Sequence, residues 1–291
     1  MKDIVVDAYF HIGEQHIRGG LPCEDYALAH RADHLAYLVV SDGCSSGGKT
    51  DVGARLLAHG FAQAVLAEAW RFREGEAHVY LEHVRVRAEL TLRGGMELLG
   101  LAPRDMLATS MLAVWAPEGV VMQIYGDGVV ARRYRSGELH MSSFSWEGNT
   151  PFYPAYHLET PQSFIRAHGN DLAAPRLKEE RVIVHRDVCE RETVMHSLQD
   201  GMAGIPIVMS EKEAKDLIQV ALFSDGVTQV EGVPWERVVQ DFLAFRSPAG
   251  AFVKRRIMRQ LQHYAREGAA VHDDVSGAAL VRRHTREEEE P

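Results

Sequence analysis

Three aspartates in this 291-residue sequence each stand beside a glycine at the end of an apolar stretch. They are Asp42 and Asp225, both in the string SDG, and Asp127 in the string GDG. A carboxylate at a strand end supplies a hard oxygen ligand, and glycine lets the backbone approach closely or offer its own carbonyl. One Asp-Gly pair is more often a simple turn, so only the whole set carries weight.

Two acidic pairs stand on either side of this set. Glu24-Asp25 comes shortly before the first apolar stretch, and Asp273-Asp274 directly precedes the last one. Several such carboxylates at one edge of a sheet would give an all-oxygen site, which prefers Mg²⁺ or Mn²⁺ to zinc. Without a cation the like charges would repel one another. The residues alone therefore predict a hydrolytic metal site.

Strands and helices must position these carboxylates, and the apolar pattern predicts both. Short apolar runs bounded by turn residues predict strands, at 35–40, 110–115, 120–125, 129–134, 139–142, 182–185, 220–223 and 275–281. Helical spacing predicts helices at 51–70, 76–99, 235–245 and 249–264. Hairpin-linked strands favour antiparallel sheets with helices packed outside, so the predicted class is α+β. The segment 143–197 is predicted to form a flap or loop beside the site.

Composition excludes several other classes. The chain has 46% hydrophobic and 25% charged residues, which is typical of a globular protein. Its net charge of -9 argues against a general nucleic-acid binder. The three cysteines form no CxxC pair, and there is neither an apolar run of about 18 residues nor a signal peptide. We therefore expect a cytoplasmic protein without a membrane span, with a single domain at 1–283 and a charged, flexible tail at 284–291.

In this order, the acidic motifs resemble those of the type 2C (PPM-type) metal-dependent protein phosphatases, in their prokaryotic branch. The strings are GLPCEDYALA, VVSDGCSSGGKTDVGA, IYGDGVV, ALFSDGV and HDDVSGAAL, and they span residues 11 to 281. The resemblance implies an α-β-β-α sandwich, in which two facing antiparallel sheets are flanked by helices. It also implies two Mn²⁺ or Mg²⁺ ions at one end, with a third and weaker site.

The resemblance also implies a role for each acidic residue. Asp42 would bridge both metals, and the Gly43 carbonyl would complete the coordination of one of them. The remaining ligands would be Glu24 for the second metal, Asp225 and Asp273 for the first, and Asp127 for the third. Asp25 would orient ligands or metal-bound water through hydrogen bonds. Asp274 stands where many members have Asn, so its role as a ligand is less defined.

The implied activity is removal of phosphate from phosphoserine or phosphothreonine in a protein, with a water bridging two metals as the nucleophile. The implied partners are a phosphorylated protein and an opposing Ser/Thr kinase in bacterial signalling. The sequence departs from the family at one important position. The family's phosphate-binding arginine stands four residues before the acidic pair, and that position is Gly20 here. Arg18 could bind phosphate instead, and His16 could act as a general acid.

Two alternatives remain open. The first is a regulatory or binding module that keeps the fold with little or no activity, which the missing arginine favours and the intact acidic set opposes. The second is a nucleotide hydrolase. The string GCSSGGKT, from Gly43 to Thr50, formally satisfies the phosphate-binding loop pattern G-x-x-x-x-G-K-T. The downstream hairpins oppose it, because such loops belong to alternating βα units.

Overall fold

The computed structural model describes residues 1, 3–74, 77–159, 161–186 and 188–283. The charged tail predicted at 284–291 lies outside these residues. Within them, two antiparallel sheets pack face to face. The α+β prediction of two facing antiparallel sheets flanked by helices is confirmed.

The larger sheet has seven strands, numbered here in chain order through both sheets. They are β1 (Ile4–His11), β6 (Gly128–Tyr134), β7 (Leu139–Trp146), β8 (Pro175–His185), β9 (Val188–Ser197), β11 (Leu217–Phe223) and β12 (Val275–Arg282). Their order across the sheet is β1-β12-β11-β6-β7-β8-β9. The first and last strands of the described residues, β1 and β12, therefore lie side by side.

The smaller sheet has five strands in the order β10-β5-β4-β3-β2. Its members are β2 (Tyr26–Arg31), β3 (Ala36–Ser41), β4 (Ser110–Ala116), β5 (Gly119–Tyr125) and β10 (Ile205–Ser210). Both faces of β3 are buried, which explains its unbroken apolar run. Leu38 and Val40 face the other sheet, while Tyr37 and Val39 face the helices outside.

Helices cover the outer face of each sheet. On the smaller sheet lie α2 (Thr50–Ala67), α3 (Ala69–Glu74) and α4 (Ala77–Leu99), and on the larger lie α8 (Trp235–Leu243) and α9 (Phe252–Arg266). Short helices join the strands, namely α1 (Glu14–Gly19), α5 (Gln162–Ala167), α6 (Leu198–Ala203) and α7 (Glu211–Ala214). Among the described residues, no helix combines the length and apolar character needed to cross a membrane.

The prediction of a flap or loop at 143–197 was wrong for much of the segment. β7 continues to Trp146, and β8 and β9 form a long antiparallel pair at the edge of the larger sheet. Residues 188–193 of β9 are exposed, with charged side chains such as Glu190, Arg191 and Glu192. An exposed edge strand lacks the apolar run from which strands such as β3 and β11 were recognised, and β1, β2 and β10 were not predicted either.

Candidate metal centre

The acidic motifs meet at one end of the sandwich because of strand direction. Antiparallel pairing places the start of one strand beside the end of the next. Tyr26, at the start of β2, pairs with Ser41 at the end of β3. Phe223, at the end of β11, pairs with Val129 near the start of β6 and with Gly277 near the start of β12. The loops carrying the five acidic motifs therefore share one edge.

Asp42 lies at the centre of the acidic group. Burial raises the pKa of its carboxyl well above its usual value, and the charges of the other acids raise it further. Those acids are Asp25, Asp225, Asp127 and Asp273. Its main chain is fixed to the start of β4, because Asp42 N–H donates to Thr109 Oγ1 at 3.0 Å and Thr109 N–H donates to the Asp42 carbonyl at 2.8 Å. The carboxylate predicted to bridge two metals thus faces four others.

Asp225 and Asp273 are linked by one amide. Gln229 Nε2 donates to Asp225 Oδ2 at 3.0 Å and to Asp273 Oδ2 at 2.8 Å. The other oxygen of Asp225, Oδ1, is buried without a hydrogen-bond partner. Burial raises the pKa of Asp225; a hydrogen bond with Asp42 opposes this, and repulsion from Asp273 reinforces it. Asp225 Oδ1 is therefore a buried carboxylate oxygen that can accept a ligand interaction.

Asp25 is completely buried behind the other acids. The Ser224 hydroxyl donates to its Oδ2 at 2.6 Å, while its Oδ1 has no hydrogen-bond partner. Burial raises the pKa of Asp25 strongly; the Ser224 hydrogen bond opposes this, and the charges of Asp274 and Asp225 reinforce it. Ser224 also accepts from Ser276 N–H at 2.9 Å, so Asp25 is anchored to β12. This geometry suits a positioning residue.

Asp127 joins the group from the loop between β5 and β6 and is 8% exposed. Burial, with repulsion from Asp225 and Asp273, raises its pKa to about 8. Two glycines flank it at positive φ, Gly126 at 90° and Gly128 at 131°. Both backbone conformations are strained for other residues, so the Gly-Asp-Gly string is required to make this turn.

Glu24 is held by the first residue of α2. The Thr50 hydroxyl donates to Glu24 Oε1 at 2.9 Å. Glu24 Oε2 is buried without a hydrogen bond, with His16 Nε2 3.6 Å away. The Gly43 N–H donates to the Glu24 carbonyl at 3.2 Å, which ties the two motifs together. A Cβ on Gly43 would lie 2.8 Å from the Thr50 carbonyl oxygen, so the close approach requires glycine.

Asp274 is engaged on both oxygens. Its Oδ1 accepts from Gly13 N–H at 2.7 Å, and its Oδ2 accepts from Glu24 N–H at 2.6 Å. His16 Nδ1 lies 2.8 Å from the same Oδ2, and His16 is buried. This carboxylate therefore holds α1 and Glu24 in place. That arrangement favours positioning roles for Asp274 and His16 over those of metal ligand and general acid.

Arg18 pairs with Glu14 on its own helix and not with the residues of the acidic group. Its guanidinium donates to Glu14 Oε2 at 2.6 Å along α1, and its side chain is 76% exposed. Gly20 follows α1 as its C-cap, with φ 66° and its N–H bonded to the Ile17 carbonyl. A left-handed cap favours glycine over arginine. The local backbone thus explains why this position carries no phosphate-binding side chain.

Tyr153 lies beside the acidic group and was not among the residues predicted from the sequence. It is 8% exposed, and burial raises its pKa, as do a hydrogen bond to the Cys44 thiol and the charges of Asp127 and Asp42. The phenol therefore lies beside the acidic group, carried by the turn before a 3-10 helix, Pro154–Leu158. Neither its type nor its spacing signals this, because the fold brings a distant loop to the site.

The interpretation of GCSSGGKT as a nucleotide-binding loop was wrong. A phosphate-binding loop needs free backbone N–H groups. Here Gly47 N–H donates to the Cys44 carbonyl, Gly48 N–H to the Arg104 carbonyl and Lys49 N–H to Asp105 Oδ1. All strand pairs of the two described sheets are antiparallel, so the loop does not belong to a βα unit of a parallel sheet.

The donor set fits hard divalent cations. Buried oxygens without hydrogen-bond partners belong to Glu24, Asp25 and Asp225, and like charges raise the pKa values around Asp42. Carboxylates are the ligands that Mg²⁺ and Mn²⁺ prefer. Within the described ranges, no three or more His, Cys, Asp or Glu side chains are already arranged so that they could hold an ion. The ligand types present are therefore those of a metal site, although their side chains are not yet arranged around one point.

Comparisons with known proteins identify the family. A model described as protein phosphatase 2C matches residues 12–264. The structure is similar to that of a bacterial serine phosphatase, with 13% identity, a TM-score of 0.54 and coverage of 97% of this chain and 99% of that one. It is also similar to the serine/threonine phosphatase Stp1 from Staphylococcus aureus, with 12% identity, a TM-score of 0.53 and coverage of 97% and 96%.

At these identities the solved structures support the fold, and the family model supports the relationship. A search of curated proteins found no match. The matched range contains the motifs at Glu24, Asp42, Asp127 and Asp225. With most of its length matched by the family model, this chain belongs to the protein phosphatase 2C family.

Proposed function

We propose that the protein is a metal-dependent phosphatase acting on phosphoserine and phosphothreonine in proteins. The observation that carries this proposal is the position of Asp42 among four further carboxylates, which raise its pKa together with burial. A buried cluster of like charges is costly unless cations compensate it. Selection for catalysis would explain why a cluster that lowers folding stability is kept.

We assign the metal ligands as the family resemblance implies. Asp42 would bind both ions, and the Gly43 carbonyl would complete the coordination of one of them. Glu24 would bind the second ion, Asp225 and Asp273 the first, and Asp127 would serve a third site. When bound, two Mn²⁺ or Mg²⁺ ions would supply an activated water and neutralise charge on the phosphoryl oxygens. Thr50 and Gln229 would orient these ligands through the hydrogen bonds described above.

Asp25 and Asp274 would act through other residues. Asp25 lies behind Asp42 and is anchored by Ser224, so it would orient ligand side chains or water. Asp274 would hold the main chain of Glu24. On the substrate side, the Tyr153 hydroxyl is a donor beside the acidic group, and it could hydrogen bond a phosphoryl oxygen in place of the arginine absent at Gly20.

The substrate in this proposal is a phosphorylated protein, with a Ser/Thr kinase opposing the reaction in the bacterial cytoplasm. An alternative is a regulatory module of the same fold with weak or no activity. Gly20 favours this alternative, since its left-handed cap removes the usual phosphate-binding side chain. The intact acidic set opposes it, because a protein without metal-dependent activity would have no reason to retain the destabilising repulsion around Asp42.

The test is hydrolysis of p-nitrophenyl phosphate and of a phosphothreonine peptide with Mn²⁺, with Mg²⁺ and with EDTA. The proposal expects turnover of both compounds that requires a divalent ion and stops in EDTA. Absence of turnover with any ion, from protein that unfolds cooperatively, would support the regulatory module.

A further inference from the structure

Four arginines line one small cavity at the corner between α8 and α9. The cavity has a volume of about 180 Å³, and its arginines are Arg246, Arg255, Arg256 and Arg259. We call this group the arginine pocket. Arg246 lies on the loop between the helices, and the other three lie on α9, whose fifteen residues include no acidic side chain. A chain with a net charge of -9 thus concentrates positive charge here.

Carboxylates neutralise this charge only in part. Arg256 donates to the Asp241 carbonyl, and its Nη2 lies 3.9 Å from Asp241 Oδ1. The Asp241 carboxylate also accepts from Arg237 at 3.0 Å and from the Tyr264 hydroxyl at 3.1 Å. Arg255 donates to the Ser247 carbonyl at 3.2 Å. Asp241 is therefore a shared counterion that serves groups outside the pocket as well.

Another carboxylate near the pocket is Asp7, which accepts the Val253 N–H at the start of α9; burial raises its pKa, and this hydrogen bond and the charge of Arg255 lower it. Among the described residues, neither Arg246 nor Arg259 forms a hydrogen bond or ion pair, and Arg255 forms no ion pair. Arg255 and Arg259 are four residues apart on one helix face, a spacing at which like charges destabilise a helix. Burial lowers the pKa of Arg256; the charge of Asp241 opposes this, and the charges of Arg259 and Arg246 reinforce it. A bound anion would relieve this repulsion.

The shape of the pocket limits the kind of anion. Phe245 and Phe252 pack edge to face with ring centroids 4.8 Å apart, and Phe252 is buried. No large apolar side chain between residues 244 and 266 is exposed, so the surface lacks the anchors of a membrane-binding site. A small concave pocket on an acidic protein is equally unsuited to a long polyanion. Guanidinium forks match the oxygens of a phosphoryl group.

We propose that the arginine pocket binds a single phosphate group. Its source is either inorganic phosphate or a phosphorylated side chain of a protein. The neighbouring loop residues Pro248 and Gly250 lie beside Ile4, at the start of β1, and Arg283, after the end of β12. The acidic group lies at the other end of β12, whose eight residues span roughly 25 Å. The pocket is thus a site separate from the metal centre.

The experiment is calorimetric titration of inorganic phosphate into the full chain in EDTA, at constant ionic strength set with chloride. EDTA removes any contribution from metals, so the result does not depend on the phosphatase proposal. We expect saturable binding that weakens about tenfold in Arg246→Gln and in Arg259→Gln, because each variant loses a charge-assisted hydrogen bond. Arg266→Gln, the same change on α9 outside the pocket, should bind as wild type does.

A phosphoserine peptide and its unphosphorylated form distinguish the two sources. Tighter binding of the phosphopeptide than of inorganic phosphate assigns the pocket to a phosphorylated protein, and equal or weaker binding assigns it to free phosphate. Thermal unfolding of each variant checks its fold. Arg246 and Arg259 are both exposed, so we expect both variants to fold, and one folded variant is enough for the test. The proposal is overturned if wild type binds no phosphate or if Arg266→Gln weakens binding as much as Arg246→Gln. It is also overturned if anionic vesicles bind and phosphate does not.

Discussion

His16 Nδ1 lies 2.8 Å from Asp274 Oδ2, which joins the first helix of the chain to the loop before its last strand. The same carboxylate accepts the N–H groups of Gly13 and Glu24. Since Glu24 is a proposed ligand, the position of its main chain depends on a residue 250 positions away. We infer that Asp274 acts on the metal site mainly through Glu24.

Asp274→Asn tests this inference. The amide NH₂ replaces one of the two carboxylate oxygens, so either the Gly13 or the Glu24 N–H loses its acceptor, and we expect a loss of about 2 kcal/mol in the free energy of unfolding. The Mn²⁺ concentration for half-maximal activity should rise about tenfold, while kcat at saturating Mn²⁺ stays close to wild type. Asp33→Asn, on an exposed residue, is the control. A kcat that collapses even at saturating Mn²⁺ would instead identify Asp274 as a direct ligand.

Stability of the metal-free protein should fall as pH rises. Asp127 has a pKa near 8 in the folded protein against 3.8 as its ordinary value, so the folded state holds its proton more tightly. The resulting stabilisation is complete below pH 3.8 and is lost as the pH rises through 8. In EDTA, denaturant unfolding should show a decrease of roughly 1–3 kcal/mol from pH 6 to pH 9.

Asp127→Asn should reduce this decrease, because the amide does not ionise. Added Mn²⁺ should also oppose it, since a cation favours the charged carboxylates. Burial and repulsion raise the pKa values of Asp25, Asp42 and Asp225 in the same direction, so part of the slope should persist in the variant. Identical slopes for wild type and Asp127→Asn would contradict the placement of this residue.

Gly43→Ala should damage both stability and activity. The new Cβ would lie 2.8 Å from the Thr50 carbonyl oxygen and 3.0 Å from that of Glu24, and both are main-chain atoms. We expect a loss of about 1–3 kcal/mol in stability and at least about tenfold in activity. Gly94→Ala is the control, because Gly94 is exposed within α4 with no atom near its Cβ position. It should gain about 0.5–1 kcal/mol and keep full activity. Unchanged behaviour of Gly43→Ala would argue against the close approach.

Tyr153→Phe examines the substrate side of the site. Loss of the hydroxyl beside Cys44 and the acidic group should raise KM for a phosphothreonine peptide about tenfold, with a smaller effect on kcat. Tyr37→Phe removes a similarly buried hydroxyl in the core of β3, away from the acidic group, and should leave KM unchanged. If both variants lose activity equally, the effect comes from packing, and Tyr153 has no special role.

The sequence predicted those parts of the protein that depend on local pattern. The apolar runs predicted β3 and β11, which end shortly before Asp42 and Asp225, because a strand buried on both faces is apolar along its length. The edge strand β9 was missed because its side chains are exposed and charged. The helical pattern gave α4 within one residue of its start.

For the site, too, the features that depend on local pattern could be predicted. The acidic motifs could be recognised because each lies beside an apolar run that predicts a strand. Contacts made across long separations could not. Ser224 and Asp25 are 199 residues apart, and Tyr153 reaches the site from a loop that carries no motif. The string GCSSGGKT likewise does not show whether its backbone N–H groups are free. In the fold, Lys49 N–H donates to the Asp105 carboxylate and Gly48 N–H to the Arg104 carbonyl.

The most direct measurement is turnover of a phosphothreonine peptide with saturating Mn²⁺ by wild type, Asp42→Asn, Asp225→Asn and the control Lys49→Ala. We predict metal-dependent activity in wild type and in Lys49→Ala. In both aspartate variants, which should remain folded in thermal unfolding, we expect a loss of at least about a thousandfold. Activity that survives in Asp42→Asn, or that disappears in Lys49→Ala alone, would contradict a metal centre built on Asp42.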